Sequence, residues 1–539
     1  MSLLRRLPDG AVKFIAGAVN SVGPIRRWVS QRSINSYAYA TPPRPRAVSM
    51  ASDYTSWRGL TDRRYSGRHL PPASARDAPA YPDLEQVAAL FERKTLRLAT
   101  NTSLLFPMFA QWFVDSFLRT KWEEGEDRRF RENESNHEID LCQIYGVGEV
   151  QTSMLREGVG GRLRSQQLRG EEWPAPLFAE EEGRLEMEAR YRRQPETDED
   201  HPAVPGLYSP PNFRRVFSRW SDEDKRSAFA VGLEHGNSTL GNAVMNTLFL
   251  REHNRTAGIL AGAHPNWDDE RLFQTARNTT IVVLLNIVVG DYIVHIAPID
   301  IRLEAPPGMA EKERWYRNNW MAVEFALLYR WHDLIPDQFA IGGETFHASR
   351  MLRANRLVTE KGLDQVLLDA SRQHAGRIGL GNTAMFLLDP NGPDVKRLSL
   401  KMARACKLPS FNAYRRYYGL KPIASFEALT GEKAMAARLR QLYGTIDRLE
   451  WFVGIFAEGY GERQMMGELL TTMVANDAFT QALTNPLLAE AVYNEGTFGR
   501  EGLEIVRTTK TLADVIARNT GIRDPDLVGF TVRKPPRLH

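Results

Sequence analysis

Apolar residues recur at three- and four-residue steps along most of the chain, the spacing that places side chains on one face of an α-helix. Stretches with this spacing cover 84–122, 237–265, 268–296, 310–334, 350–376, 426–458 and 465–485. Runs with the alternating period of a β-strand are almost absent from the sequence. The pattern predicts a mainly α protein with one large helical catalytic domain over residues 84–539.

Residues 1–36 mix apolar and basic side chains, and Gly23-Pro24 interrupts the pattern. Two short helices with an apolar face fit this arm. Low acidity, a Trp and basic flanks are typical of helices that lie on a membrane surface, and an arm that packs on the protein's own body fits as well. Residues 37–83 are rich in Pro and Arg, which predicts an extended wrapping segment.

Composition excludes several classes of protein. With 539 residues, 42% hydrophobic and 25% charged, the chain is neither collagen-like, nor wholly disordered, nor a multispanning membrane protein. Two cysteines cannot supply a disulfide framework, so a reducing, cytoplasmic location is expected. The most apolar run, 281–289, is too short to span a bilayer and predicts a buried core helix.

The formal charge of +4 is unevenly distributed. Residues 1–69 hold 12 Lys or Arg against three acids, Asp9, Asp53 and Asp62, a local balance of 12 − 3 = +9. The basic residues alternate with apolar ones and no recognisable nucleic-acid-binding module accompanies them. Contact with a membrane surface through residues 11–36 therefore stays open beside packing on the protein's own body, and we expect no nucleic-acid partner.

Residues 323–336, VEFALLYRWHDLIP, predict a helix that Pro336 ends. Tyr329 and His332 are three residues apart, which would place them on one face of that helix. A neutral histidine can coordinate a metal or haem iron, and a neighbouring tyrosine could then hold a radical. Most helical histidines have a structural role, so this pair is a weak signal by itself.

The surrounding sequence strengthens it. LYRWHDLIPDQF at 328–339 resembles the proximal haem segment of the cyclooxygenases, members of the animal haem peroxidase superfamily. NTSLLFPMFAQWFVDSFLRT at 101–120 resembles their distal helix, and LREHNR at 250–255 a signature shared across the superfamily. GTFGREGL at 496–503 continues the collinear match. The resemblance implies a helical haem peroxidase-type fold that binds haem b, and it is less specific for the exact reaction.

Carried over position by position, the resemblance implies that His332 is the axial ligand of the haem iron. Tyr329 would be the radical residue that removes a hydrogen from a fatty acid, and Tyr292 would hydrogen-bond to it. Ile293, Ile296 and Ile299 would line the acyl channel. Arg32 aligns with the arginine that receives the fatty-acid carboxylate, or it is simply one basic residue of the arm.

The distal helix departs from the family pattern. The family has a Gln followed four residues later by a His that moves a peroxide proton, whereas this chain has Gln111 and then Asp115. Loss of such a group slows proton transfer by roughly 10²–10⁴-fold. Asp115 with a raised pKa could replace the histidine, and His235 could do so from a position where other members place an arginine. His235 could also be an ordinary residue at a helix end.

The acyl pocket departs as well, because Val474 and Ala478 stand where the cyclooxygenases have a Gly and the Ser that can be acylated. A valine there would obstruct the folded substrate, so a hydroperoxy acid is favoured over an endoperoxide.

We therefore predict a haem-dependent fatty-acid oxygenase acting on an unsaturated fatty acid and O₂. The alternatives are a peroxidase or peroxygenase that uses Asp115 or His235 to activate H₂O₂, and a haem-binding protein without catalysis. A homodimer and peripheral contact with a membrane are further expectations.

Overall fold

Helices form where the apolar spacing is sustained, as expected from burying one face of each against its neighbours. The computed structural model describes residues 9–42, 48–49, 57, 61–121, 132–193, 205–297, 301–390, 392–462 and 464–533. Ile299 and the first eight residues of the arm lie outside this part of the chain.

The helices before the centre of the chain are short apart from those of the arm and one apolar helix. In order they are α1 (Asp9–Ser21), α2 (Gly23–Ala38), α3 (Leu84–Ala88), α4 (Leu105–Asp115), α5 (Cys142–Tyr145), α6 (Glu149–Leu155), α7 (Pro210–Phe217) and α8 (Asp222–Arg226).

Two long helices then form the centre of the core, and shorter ones surround them. They are α9 (Leu240–Ala263), α10 (Asp269–Ile287), α11 (Ile293–Ile296), α12 (Val323–Leu328), α13 (Asn355–Lys361), α14 (Leu363–Arg372), α15 (Val395–Ala405), α16 (Phe411–Tyr417), α17 (Phe426–Thr430), α18 (Lys433–Tyr443), α19 (Trp451–Ala457), α20 (Glu468–Leu483), α21 (Glu495–Thr508) and α22 (Leu512–Asn519).

The strands are short and pair two by two, always antiparallel. They are β1 (Val48–Ser49) with β2 (Gly67–Arg68), β3 (Leu98–Ser103) with β10 (His374–Gly376), β4 (Ser165–Leu168) with β5 (Glu171–Pro174), β6 (Phe178–Glu181) with β7 (Arg184–Met187), and β8 (Gln338–Ile341) with β9 (Glu344–His347). Helix dominates the described chain, which confirms the mainly α prediction.

The core is organised around α9, which packs against α4, α10 and α22, while α10 also packs against α21. The Trp112 indole of α4 stacks on the Phe249 ring of α9 with centroids 4.5 Å apart, and its Nε1 donates to Asn246 Oδ1 at 2.7 Å. These contacts fix α4 against the centre of the molecule, and α4 carries the distal residues predicted from the sequence.

Residues 269–296 form one helical rod in which a π-helical turn, Val288–Tyr292, joins α10 to α11. The rod is long and apolar enough to cross a membrane, yet 72% of its most apolar window is buried inside the protein. The expected buried core helix is confirmed. π-Turns are often found at functional sites, and this one ends at Tyr292.

The arm forms two helices that meet beside Val22, and the second lies against the body of the protein. Helix α2 packs on α20, where Asn476 Nδ2 donates to the Tyr37 carbonyl oxygen at 2.8 Å. Near the start of α2, Arg26 forms an ion pair with Glu304. Packing on the body and an exposed apolar surface therefore occur in the same arm.

Candidate active site

The distal helix α4 has a single face that is not buried. Nine of its eleven residues are buried, and the other two, Gln111 and Asp115, are one turn apart. The Asp115 side chain is 19% exposed. Helical spacing alone therefore places these two predicted residues side by side at an opening in the core.

His235 lies beside Asp115, although the two are 120 positions apart. It belongs to a 3₁₀ turn, Glu234–Asn237, and its Nε2 lies 3.7 Å from Asp115 Oδ2. Asn242, on the first turn of α9, donates from Nδ2 to Asp115 Oδ2 at 3.0 Å and is 3.1 Å from the His235 carbonyl oxygen. The structure thus brings both distal candidates together.

The sequence analysis did not identify Asn242. Its only signal was an amide within the apolar run LGNAVMNTLFL that begins α9. A polar side chain at 1% exposure requires a hydrogen-bond partner, and here that partner is the distal carboxylate.

The surroundings of Asp115 disfavour the charged form of its carboxyl group. Burial raises its pKa, and the charge of His235, the hydrogen bond from Asn242 and the charge of Arg330 only partly offset this. A carboxyl group with a raised pKa can hold a proton nearer neutrality than an ordinary aspartate. Asp115 therefore has the raised pKa that a substitute for the distal histidine needs.

The proximal segment corrects one prediction. No continuous helix runs from Val323 to Pro336: α12 ends at Leu328, and a separate 3₁₀ turn covers His332–Leu334. Tyr329 and His332 therefore do not share one face of a helix.

The break has a tertiary cause at Arg330, whose carbonyl oxygen would pair with the amide of Leu334 in a longer helix. The Lys396 ammonium donates to the Arg330 carbonyl oxygen at 2.9 Å. The Arg93 guanidinium donates to the Ile335 carbonyl oxygen at 2.7 Å. Pro336 also disfavours a helical conformation at Ile335.

A fully buried ion pair supports the residue that follows His332. Lys396 Nζ lies 3.0 Å from Asp333 Oδ1, and both side chains are 0% exposed. The Thr383 hydroxyl donates to the same carboxylate, and the Lys396 ammonium is 3.9 Å from the centroid of the Phe456 ring. Neither Lys396 nor Asp333 was among the predicted site residues, since nothing in the local sequence links them.

His332 is neutral at physiological pH. Burial, together with the positive charges of Lys396 and Arg330, lowers its pKa to about 3. Its Nδ1 is buried and finds no hydrogen-bond partner within the described parts of the chain. Neutral imidazole is the form that coordinates a metal, so His332 meets the chemical requirement for an axial ligand.

Tyr329 and Tyr292 come from different helices and meet in an aromatic cluster. Tyr292 stacks on Phe106 with centroids 5.1 Å apart, and Tyr329 contacts Trp331 at 4.7 Å. Burial raises the pKa of both phenols; the charge of Tyr329 adds to this for Tyr292, and the charge of Asp477 does so for Tyr329. Both phenols therefore stay protonated at neutral pH.

The two hydroxyl groups are close enough for each to change the pKa of the other. Neither makes a hydrogen bond of acceptable geometry with any described residue. The predicted partnership of Tyr292 with Tyr329 is thus present as proximity rather than as a formed bond.

The predicted channel residues are buried near these tyrosines. Ile293, Ile296, Val474 and Ala478 are at most 2% exposed. Helix α20, which carries Val474 and Ala478, packs against α11, α12 and the π-turn. The structure therefore brings the acyl-pocket candidates to the helices of Tyr292 and Tyr329.

Arg32 has a different environment. It lies on the exposed side of α2, with its guanidinium carbon 5.4 Å from the centroid of the Trp28 ring. The arm helix that carries it packs on α20, so Arg32 is connected to the acyl-pocket region through its helix and not through burial of its own side chain.

A cavity of about 350 Å³ lies between the 3₁₀ turn of His235 and Arg330 of the proximal segment. His235 and Glu234 line it from the 3₁₀ turn, Arg330 from the proximal segment, and Leu398 from α15. Arg119 and Arg215 complete its cationic wall.

A sequence profile of the animal haem peroxidase family matches residues 105–528. The chain belongs to the animal haem peroxidase family. Prostaglandin G/H synthase 1 of Rattus norvegicus is 31% identical over 504 residues, covering 90% of this chain and 77% of the synthase. Prostaglandin G/H synthase 2 of Bos taurus is 30% identical over 507 residues, covering 92% and 77%. The chain is accordingly an oxidoreductase of a haem-binding family.

Solved structures share the fold. A fatty acid alpha-dioxygenase of Oryza sativa superposes with a TM-score of 0.69 at 18% identity, covering 99% of this chain and 95% of that one. Peroxidase A of Dictyostelium discoideum gives a TM-score of 0.69 at 17% identity, covering 90% and 100%.

The residues present fit a haem. A neutral histidine with an unpartnered buried Nδ1 stands on one side, and the accessible polar pair of Asp115 and His235 stands on the other. Arg330, whose Nε is buried without a partner among the described residues, and Arg215 supply positive charge at the cavity that His235 lines. His332 would hold the iron, and the arginines suit the carboxylates of a haem.

Proposed function

We propose that the protein is a haem-dependent fatty-acid oxygenase in which Tyr329 carries the radical. The observation that supports this most directly is the placement of a buried, protonated Tyr329 three residues before the neutral His332 and beside Tyr292. The identity with prostaglandin G/H synthases over most of the chain supports the same reaction class.

A haem held by His332 would supply the oxidising equivalent. Tyr329 then loses an electron and its phenolic proton and becomes a neutral radical. The radical takes one hydrogen atom from an unsaturated fatty acid, O₂ adds to the carbon radical, and the peroxyl group recovers a hydrogen atom from Tyr329. The net product is a hydroperoxy acid, and the tyrosyl radical is restored.

Burial excludes water from this chemistry. Tyr329 is 8% exposed, and rings of Phe325 and Trp331 lie 5.0 and 4.7 Å from its ring centroid. A dry pocket keeps a reactive radical away from side reactions. The Val474 side chain, 0% exposed on α20, occupies space in the packed acyl region and supports a single oxygenation without ring closure.

The test is oxygen uptake with a panel of unsaturated fatty acids, comparing wild type with Tyr329→Phe. We expect uptake to be lost in the variant while haem content and the Soret band are retained. Tyr191→Phe is the matched control, because Tyr191 is also buried with an unpartnered hydroxyl and lies outside the site. Uptake that survives in Tyr329→Phe would remove Tyr329 from the mechanism.

A second candidate is a peroxidase or peroxygenase, favoured by the approach of His235 to Asp115 at 3.7 Å. Peroxide-driven oxidation of a small phenol should then fall in Asp115→Ala or His235→Ala. If neither substitution changes it and fatty acids cause no uptake, the remaining candidate is a haem-binding protein without catalysis.

Membrane association is part of the proposal. Phe14, Ile25 and Trp28 on α1 and α2 are 79%, 48% and 60% exposed, and Arg27 and Arg32 are exposed on α2. Such a surface can enter a lipid interface, and each cation near anionic headgroups contributes about 1 kcal/mol.

Flotation with phosphatidylcholine–phosphatidylserine vesicles tests this. Phe14→Ser with Trp28→Ser should release the protein from vesicles, whereas Val159→Ser with Met385→Ser, which removes exposed apolar side chains elsewhere, should not. Equal flotation of both double variants would contradict a role for the arm.

Two further expectations remain proposals. If Arg32 receives the fatty-acid carboxylate, Arg32→Gln should raise KM for the free acid and leave KM for its methyl ester unchanged. A homodimer is checked by light scattering of the purified protein.

A further inference from the structure

We propose that Glu234 is a positioning residue that keeps Nδ1 of His235 protonated and leaves Nε2 free to act as the distal proton acceptor. The proposal deepens the peroxide-activating role considered above and rests on it. It assigns a function to a carboxylate that sequence reasoning did not single out.

His235 lies between two carboxylates. Its Nδ1 is 3.6 Å from Glu234 Oε1 and its Nε2 is 3.7 Å from Asp115 Oδ2. Both distances are longer than a hydrogen bond, and catalytic contacts of this kind commonly tighten once substrate is bound. The side chain is 25% exposed, so it faces the cavity while its two nitrogens face opposite acids.

The two acids have different electrostatic environments. Glu234 is 4% exposed and accepts two hydrogen bonds from Arg119 Nη2, at 2.6 and 2.8 Å. Burial alone would raise its pKa, but the neighbouring His235 ring and the charge of Arg119 outweigh burial and hold the pKa below the ordinary glutamate value. Burial instead raises the pKa of Asp115.

This asymmetry selects one histidine tautomer. A permanently ionised oxygen beside Nδ1 favours a proton on that nitrogen, as the partner of one ring nitrogen determines the state of the other. Nε2 then carries the lone pair and faces the side of Asp115. The same logic orients the base in hydrolase triads, where the carboxylate fixes the tautomer and takes no proton itself.

Other charged groups around the cavity act on His235 as well. Arg330 and Arg215 line it from the proximal segment and α7, and Glu134 lines it from the opposite wall. Arg215 also lies 3.6 Å from Glu234.

The proposed step neither gains nor loses a proton. Nε2 takes the proton of a hydroperoxide and gives it to the oxygen that departs as the alcohol, so His235 ends unchanged. A haem held by His332 would supply the two electrons that break the O–O bond. Glu234 and Arg119 move no proton and only hold the ring.

The test is the rate of cyanide binding to the ferric holoenzyme, followed by the Soret shift, because HCN must give its proton to the distal base before it binds. Glu234→Gln should slow binding by about 10- to 100-fold, the usual effect of removing an outer partner, and should change its pH profile. His235→Gln should show at least the same loss. Glu344→Gln, at an exposed glutamate on β9 that does not line the cavity, should leave rate and profile unchanged.

The variant that leaves Arg119 unpaired can be unstable, so Arg119→Gln with Glu234→Gln removes both charges and gives the same expected loss. Glu234→Asp should recover part of the rate. Rates and profiles within twofold of wild type in Glu234→Gln, or in the double variant, would overturn the positioning role if His235→Gln is slow. If His235→Gln is also unaffected, the distal assignment itself is wrong. Cyanide binding needs no fatty acid, so either outcome is separable from failure of the oxygenase proposal.

Discussion

Asp333 and Asp115 are two aspartates on opposite sides of the same site, and their surroundings differ in almost every respect. Asp333 is fully buried, 3.0 Å from the Lys396 ammonium, and it also accepts from the Thr383 hydroxyl. Asp115 is partly accessible, accepts one hydrogen bond from Asn242 and has its histidine neighbour at 3.7 Å.

The difference in pairing predicts a structural role for Asp333 and a chemical role for Asp115. A buried charge with a close counter-ion holds its surroundings in one arrangement, and loss of either partner is expensive. A carboxylate with a raised pKa and incomplete pairing can change its protonation state near neutral pH. The pairing on the proximal side suits the proposed ligand role of His332, and the pairing on the distal side suits the proposed exchange of protons.

The largest expected effect is on the proximal ion pair. Lys396→Met leaves the Asp333 charge buried without its cation, which should lower the free energy of unfolding by about 3–5 kcal/mol. Denaturant unfolding measures this. Lys361→Met, at a lysine that is 21% exposed and paired with an exposed glutamate, should change stability by less than about 1 kcal/mol. Equal losses of stability in the two variants would show that the buried ion pair contributes no more than the surface pair.

Loss of the ligand comes next. His332→Ala should weaken haem binding by at least about 100-fold, because the axial nitrogen is removed while the cavity remains. Haem titration followed by the Soret band gives the affinity. His347→Ala, at an exposed histidine on β9, should bind haem as wild type does. Undiminished affinity in His332→Ala would show that another residue binds the iron.

The distal aspartate should respond in the opposite direction. The folded-state pKa of Asp115 lies above its unfolded value, so its ionised form costs stability once the pH exceeds the folded pKa. Asp115→Asn should therefore be more stable than wild type at pH 7, by less than the change expected for Lys396→Met, and the gain should disappear as the pH falls to the ordinary aspartate value of about 4. Tm measured against pH tests this. A destabilised variant at pH 7 would place Asp115 in the same class as Asp333.

The smallest effect concerns the tyrosine pair. Since no well-formed hydrogen bond joins Tyr292 to Tyr329, Tyr292→Phe should reduce oxygen uptake by only about twofold, corresponding to the lower end of hydrogen-bond energies. Oxygen-electrode rates at saturating fatty acid measure it. A loss as deep as that of Tyr329→Phe would mean that the hydroxyl contact tightens in the working enzyme.

Much of the site was predictable. The distal pair was predicted from the family pattern, and its placement on one side of α4 follows from local spacing, because residues four apart share a helix face. The burial of 269–296 followed from its continuous apolar character. His332, Tyr329 and Asp115 were found by resemblance to family motifs, which indicate the roles of individual residues as well as the fold.

The rest depended on contacts between distant segments. The proximal helix was predicted to reach Pro336, and it ends at Leu328, beyond which Lys396 holds the Arg330 carbonyl group that a longer helix would use. Asn242 could not be chosen from among many buried polar residues without knowing which carboxylate it faces.

By itself the sequence determined the helical class, the apolar rod of α10 and α11, and the residue types available for haem chemistry, because these depend on local periodicity and on motifs. Only the tertiary structure decided that Asp115, His235 and Asn242 meet at one point, and that a buried Lys396–Asp333 pair interrupts the proximal helix. These contacts join residues that are far apart in the sequence, so they depend on how the helices pack. The free energy of burying each charge then depends on the neighbours that this packing places around it.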